Sequence, residues 1–241
     1  MLILALDSTA LVASVALCHD ERPIASFTVK NGNTHSETLL PMVEAVLKAA
    51  GVTVDDIDLF ACSEGPGSFT GVRIGTATIK GLAFGKNKNC LGVSTLEALA
   101  ENILPFDGII CPVMNARRGQ VYNALFACED GKLMRLCEDR ALPVAELEAE
   151  LLQRGGPFAL CGDGIDEFCR LAQKTAPVAT PTLLCDQSAV SVAKVALRRV
   201  NEGESGTDAD LKPVYLRLPQ AERERLEKLK SKNSPETEEN V

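Results

Sequence analysis

Apolar residues follow two rhythms along this chain. Near the start they fill short blocks at 2–7, 13–18 and 22–29. Ser8-Thr9-Ala10 separates the first pair, and Asp20-Glu21 with Pro23 separates the second. Blocks of this length between turn residues predict three strands. From 35 to 50 the rhythm changes. Leu39, Leu40, Val43, Val46 and Leu47 recur at helical spacing, Thr34 and Glu37 make a capping box before them, and Gly51 follows. That combination predicts a helix with both ends marked. Ile57–Cys62 reads as a buried strand, about 70–85 as a helix, 90–93 as a short strand and Thr95–Glu101 as a short helix. Three strands, then helices alternating with strands, predict a mixed α/β sheet.

Pro105-Phe106-Asp107-Gly108 interrupts this pattern and is expected to hinge into a second unit. Strands are predicted at 109–114, 120–128 and 132–140, with Arg117-Arg118-Gly119 and Asp130-Gly131 as hairpin turns. A helix at 143–154, a strand at 157–161 and helices at 164–173 and 188–201 follow. The order repeats the first half as a degenerate duplicate. The expected organisation is a lobe at 1–104, a second at 105–218 whose 188–201 helix can return to the first, and a tail at 219–241. That tail carries both signs of charge and few core residues, so a frayed helix and then disorder are expected.

Composition narrows the function. The 241 residues carry a formal net charge of −8, which repels phosphate backbones and makes direct nucleic-acid binding a poor fit. The nine cysteines are an odd number without a Cys-x-x-Cys, and several sit in apolar segments, as Cys18, Cys62, Cys111 and Cys161 do. That is reduced cysteine used as a small hydrophobe and points to the cytoplasm. The two histidines, His19 and His35, have no ligand-spaced neighbours, so no metal is expected. No run approaches the ~20 apolar residues that span a bilayer. The N-terminus meets Asp7 without a basic region and reads as a strand rather than a signal peptide.

The most informative stretch is Gly65-Pro-Gly-Ser-Phe-Thr-Gly-Val-Arg-Ile-Gly75. Strand, glycine-rich turn and helix are the parts of a phosphate cradle. The glycine spacing misses the dinucleotide fingerprint by one residue, and no lysine follows Gly71 as a Walker loop requires. This block, the first-half pattern and Asn115-Ala-Arg-Arg-Gly-Gln-Val-Tyr122 together resemble the TsaB family over roughly residues 1–218. Asn115 and Gln120 stand where the family pattern has acids. The resemblance implies an actin-like ATPase (ASKHA) fold in two lobes. It also implies a non-catalytic subunit in forming N6-threonylcarbamoyladenosine in tRNAs that read ANN codons. The implied partners are a TsaD-type transferase subunit and a TsaE-type ATPase, with a homodimer when the chain is alone and tRNA met only indirectly. Residues 92–100, Gly-Val-Ser-Thr-Leu-Glu-Ala-Leu-Ala, are similar to the TsaD segment whose two histidines bind a metal. Here Thr95 and Leu99 take those places, and a leucine cannot ligate.

Gly71, Gly75, Gly81 and Gly85 in one helix need a reason, because each costs about 1 kcal/mol against alanine. Docking of a partner helix and tight packing on the chain's own sheet both supply one. The resemblance favours docking, through the helices at 35–50 and 70–85. The partner face is then expected at Leu39, Val43, Val46, Gly71, Gly75, Thr78 and Leu82. Asp7 and Ser8, at the first hairpin, are weak candidates for a vestigial nucleotide contact; a polar turn is the competing reading. No cofactor is expected on this chain alone, with ATP and Mg2+ belonging to an assembled complex. A phosphotransferase using Asp7 is the alternative activity, but Met114-Asn115-Ala116-Arg117 offers no second acidic loop. His35-Ser36-Glu37 does not make a catalytic set, since neighbours on a helix diverge and the cap explains Glu37. A peptidase would need a metal or an activated nucleophile, and neither is offered.

Overall fold

Strand β1 (Leu2–Asp7) is apolar at nearly every position because both its faces are covered. Leu4 and Leu6 point into one core, under helices α1 (His35–Ala50) and α2 (Phe69–Ala83). Ile3 and Ala5 point into another, under α6 (Ala189–Asn201). The structure, a computed structural model, describes residues 1–217; the expected tail at 219–241 lies outside the described residues. β1 pairs antiparallel with β2 (Ala13–His19), which pairs with β3 (Arg22–Val29). On its other side β1 runs parallel to β4 (Leu59–Gly65), and β4 to β5 (Asn89–Ser94). The order β3-β2-β1-β4-β5 is the mixed sheet expected of an actin-like lobe.

Helix α1 forms where the pattern places it. Thr34 and Glu37 close the capping box, and Gly51 ends the helix with φ 68°. Its buried residues are Leu39, Met42, Val43, Val46 and Leu47. Short helix α3 (Thr95–Glu101) follows β5, capped by the Ser94 hydroxyl, which accepts from the Glu97 N–H at 3.2 Å.

The second sheet centres on β6 (Ile109–Arg117). β7 (Gln120–Asn123) and β8 (Phe126–Glu129) lie along the same edge of it in one antiparallel register, Val113 opposite Asn123 and Ile109 opposite Ala127. β9 (Lys132–Arg135) pairs β8, and β10 (Arg140–Pro143) pairs β7. The strands expected at 120–128 and 132–140 therefore each break in two. At the break, Leu136 N–H donates to the Leu125 carbonyl at 2.8 Å, and Asp139 is drawn to the Ser94 hydroxyl at 2.5 Å and to Arg135 Nη1 at 2.6 Å. The Ser94–Asp139 bond ties this break to the first lobe. β11 (Phe158–Cys161) runs parallel to β6, as β4 does to β1. The duplication is thus visible as a second meander with one parallel strand beside it. Helices α4 (Val144–Arg154) and α5 (Ile165–Leu171) accompany this sheet.

The helix expected at 188–201 does return to the first lobe. Ala189, Val192, Ala193, Val195 and Ala196 of α6 are buried against the first sheet, so α6 belongs to that lobe although it follows the second in sequence. Small side chains let the helix sit close to β1, β2 and β4.

Candidate partner face and interlobe cleft

The glycine-rich turn joins β4 to α2. A Cβ on Gly67 would press on the Thr9 carbonyl, one on Gly71 on the Ser8 carbonyl, and one on Gly75 on the Ser8 hydroxyl and Leu6. These glycines let α2 lie against the β1–β2 turn of the same chain. Gly71 and Gly75 therefore do not belong to a partner face, contrary to expectation. Leu39, Val43 and Val46 do not either: they are 1%, 2% and 3% exposed, packed into the first lobe's core. Their helical spacing marks a buried stripe, and the sheet takes it.

Of the expected set, Thr78 and Leu82 reach the surface, both half-buried. Ile74 is half-buried and Ala77 exposed, and space around Gly81 is open. Ile74, Ala77, Thr78, Gly81 and Leu82 follow at three- and four-residue steps, so they form one uncharged stripe along α2. His35 approaches Gly71, which turns that side of α1 toward α2. Helical spacing then places exposed Ala45 and Ala49 beside the stripe. Periodicity alone could not separate this stripe from the buried one, because α2 carries small or apolar residues on both sides.

Asp7 is 1% exposed and fully engaged inside the chain. Its Oδ1 accepts from Thr9 N–H at 2.8 Å and Thr9 Oγ1 at 2.7 Å, and Oδ2 accepts from Ser63 Oγ at 2.5 Å. Burial pushes its carboxyl above the usual range, with the Ser63 and Thr9 bonds opposing. Ser8 Oγ donates to the Gly71 carbonyl at 2.9 Å. These residues tie the first turn to α2 and do not fit a nucleotide contact. Two of the turn's amides are engaged as well: Ser68 N–H donates to the Thr9 carbonyl at 2.7 Å, and Gly71 N–H to Ser68 Oγ at 3.3 Å.

A cleft of about 750 Å3 does open between the lobes, with Thr9, His35 and Ser68 on one wall and Asn115, Arg117 and Asp163 on the other. His35 Nε2 lies 2.7 Å from the Ala10 carbonyl, and Ser36 and Glu37 turn to Thr34, so the three consecutive residues form no catalytic set. Arg117, Arg118 and Gly119 take φ of 64°, 57° and 70° in the β6–β7 turn. Asn115 Oδ1 accepts from the Arg117 N–H at 2.7 Å, a role for which an amide serves as well as an acid. Thr95 is fully buried and Leu99 is 1% exposed, in a core shared by α3 and β6, so neither side chain opens onto the cleft. All nine cysteines are free, and burial pushes the Cys18 and Cys90 thiols up to about 11. Among the described residues no helix is long and apolar enough to cross a membrane.

Fold, face and sequence together define a relative of the threonylcarbamoyltransferases: residues 30–204 match the family model of TsaD, tRNA N6-adenosine threonylcarbamoyltransferase. The tRNA threonylcarbamoyladenosine biosynthesis protein TsaB of Escherichia coli is 31% identical over 220 residues, 90% of this chain and 95% of that protein. Its counterpart from Bacillus subtilis is 29% identical over 231 residues, 95% of this chain and 100% of that protein. The solved structure of YeaZ from Pseudomonas aeruginosa superposes with a TM-score of 0.78 at 30% identity, covering 89% of this chain and 99% of that one. The chain belongs to the TsaB family.

Proposed function

We propose that this chain is the non-catalytic partner of a TsaD-type transferase in forming N6-threonylcarbamoyladenosine in tRNAs that read ANN codons. It binds that subunit through the uncharged stripe on α2 and the neighbouring side of α1. The observation that carries this reading is the stripe itself: Ile74, Ala77, Thr78, Gly81 and Leu82 stay at the surface without a charge among them. Small residues let a partner helix approach closely, and the absence of charge lowers the cost of desolvation. Thr95 and Leu99, buried in the core where the resembling enzyme has metal ligands, favour a binding role over catalysis. Binding energy spent unequally on two states of the partner's catalytic lobe would hold it in the active one. The pair recruits a TsaE-type ATPase, and ATP and Mg2+ belong to that assembly. The same stripe supports a homodimer in the partner's absence, and the acidic balance leaves tRNA to the partner.

Thr78→Arg tests the face. An unpaired guanidinium forced into the contact should cost roughly 3 kcal/mol, about a hundred-fold in Kd. Size-exclusion chromatography with purified TsaD should show loss of the heterodimer, with the circular dichroism of the variant unchanged. Full assembly by this variant would rule the face out. A TsaD subunit that modifies tRNA equally well without this chain would rule out the activating role.

A further inference from the structure

Past α6 the backbone returns along the first lobe and then leaves it. Cys90 N–H donates to the Gly206 carbonyl at 2.9 Å, and Lys80 Nζ donates to the Leu211 carbonyl at 3.1 Å. Leu211 is 4% exposed, anchored in the core beneath α1 and α2. Residues 212–217 then cross the mouth of the cleft. Val214 N–H donates to the Glu64 carbonyl, near the end of β4, at 2.7 Å. Gly65 there has φ 120°, and a Cβ on it would be driven into the Val214 carbonyl. The Tyr215 ring lies on Phe69 with centroids 4.7 Å apart, and its hydroxyl accepts from Arg73 Nε at 2.8 Å. The Arg73 guanidinium in turn sits 3.9 Å over the Phe69 ring. Arg217 Nη1 donates to the Ala116 carbonyl, across the cleft in β6, at 2.5 Å.

We infer that residues 212–217 are a latch, anchored at Leu211, that closes the interlobe cleft by bridging the glycine-rich turn to the β6–β7 hairpin and opens it on release. The strap lies on the surface, with Val214 40% and Tyr215 38% exposed, unlike its anchor. Val214 to Glu64 is its one backbone hydrogen bond to a sheet among the described residues. Val214, Tyr215, Leu216 and Arg217 form part of the cavity wall, so release removes that wall. Release need not part the lobes, because on the far side Arg135 of β9 bonds Glu97 of α3, and Ser94 bonds Asp139. An exposed segment lying over a packed sheet is the kind that opens locally below the free energy of global unfolding.

The test is amide-resolved hydrogen exchange on the full chain, comparing wild type with Tyr215→Ala and Tyr215→Phe. In wild type the Val214 amide should exchange faster than those of β1. In Tyr215→Ala the amides of Val214, Ser68, Gly71, Asn115 and Arg117 should exchange about ten-fold faster or more, with β1 unchanged. The phenylalanine variant keeps the ring stack and loses one hydrogen bond, so a smaller rise at the same amides is expected. Faster exchange at Val214 with the turn and hairpin at wild-type rates would overturn the latch, since the strap would then cover nothing. Wild-type protection of Val214 equal to that of β1 would overturn it too, since the strap would then be fixed core. Should Tyr215→Ala deprotect β1 by unfolding, the phenylalanine variant decides, and no change at Val214 in it counts against the proposal.

Discussion

Gly71 and Gly81 share a helix and have opposite surroundings, so the same substitution should have opposite signs. A methyl on Gly71 meets the Ser8 backbone carbonyl, which cannot swing aside as a flexible side chain would. Gly71→Ala should therefore destabilise by roughly 2 kcal/mol or more, as overpacked cores do. Around Gly81 nothing lies within 4 Å, and alanine there should stabilise by about 0.5–1 kcal/mol through helix propensity. Urea midpoints of the two variants check the pair; equal shifts would mean that helix propensity, not the close approach, explains the motif. Glu148 gives a residue-scale pH dependence. It is 6% exposed, and its Oε1 accepts the N–H groups of Gln173, Lys174 and Thr175 at 2.8, 2.5 and 3.1 Å. The Lys174 N–H foremost, with those of Gln173 and Thr175, holds this carboxyl below its ordinary value near 4.5. An acid with a depressed folded value contributes stability that is full above its unfolded value and is lost as pH falls through the folded one. Wild type should therefore exceed Glu148→Gln in stability at neutral pH. The gap should narrow as pH drops below about 4.5, read from urea melts across that range.

Elements were legible from the chain to the extent that their burial is one-sided. The α1 stripe, its cap and Gly51 all agree, so the helix is found at 35–50 as the pattern predicts. The proposed partner face was not legible for a physical reason. Val43 and Thr78 both sit on helices at regular spacing, and spacing says which residues share a side, not which side meets the sheet. The structure buries Val43 and leaves Thr78 half-buried at the surface, and a pair of variants tests which of them a partner meets. Val43→Ala opens a cavity in the first lobe and should cost about 2 kcal/mol in stability with little change in TsaD affinity. Thr78→Arg should do the reverse. Urea melts and a binding titration on both proteins give the four numbers, and a Val43→Ala protein of normal stability but weak binding would return that residue to the interface. The broken strands at 124–125 and 136–139 were hidden for another reason. The Ser94 contact that holds the second break joins residues 45 apart in sequence, which spacing along the chain does not reveal.

At the scale of the molecule, the sequence divides the chain at 105–108, while the packing does not. One core cluster takes Ala10, Leu96, Leu99 and Ile103 from before that break and Ile110, Met114, Phe126 and Cys161 from after it. Polar contacts reinforce the same seam: Glu97 of the first lobe bonds Arg135 of the second at 3.4 Å, and Ser94 bonds Asp139 at 2.5 Å. The return of α6 to the first lobe was open to the sequence but not fixed by it, because any apolar sheet face would accept its small residues. Two lobes that share a core cannot bury their halves of it separately. Unfolding should therefore be one cooperative transition, with a calorimetric enthalpy equal to the van't Hoff value. Leu96, fully buried in the shared cluster, is the residue to probe. Leu96→Ala should lower stability by about 2–5 kcal/mol. Because the cavity lies between the lobes, the single calorimetric peak should move to lower temperature whole. Two resolved peaks in the variant, one of them at the wild-type temperature, would show that each lobe keeps a sufficient core of its own and that the seam is an interface between independent domains.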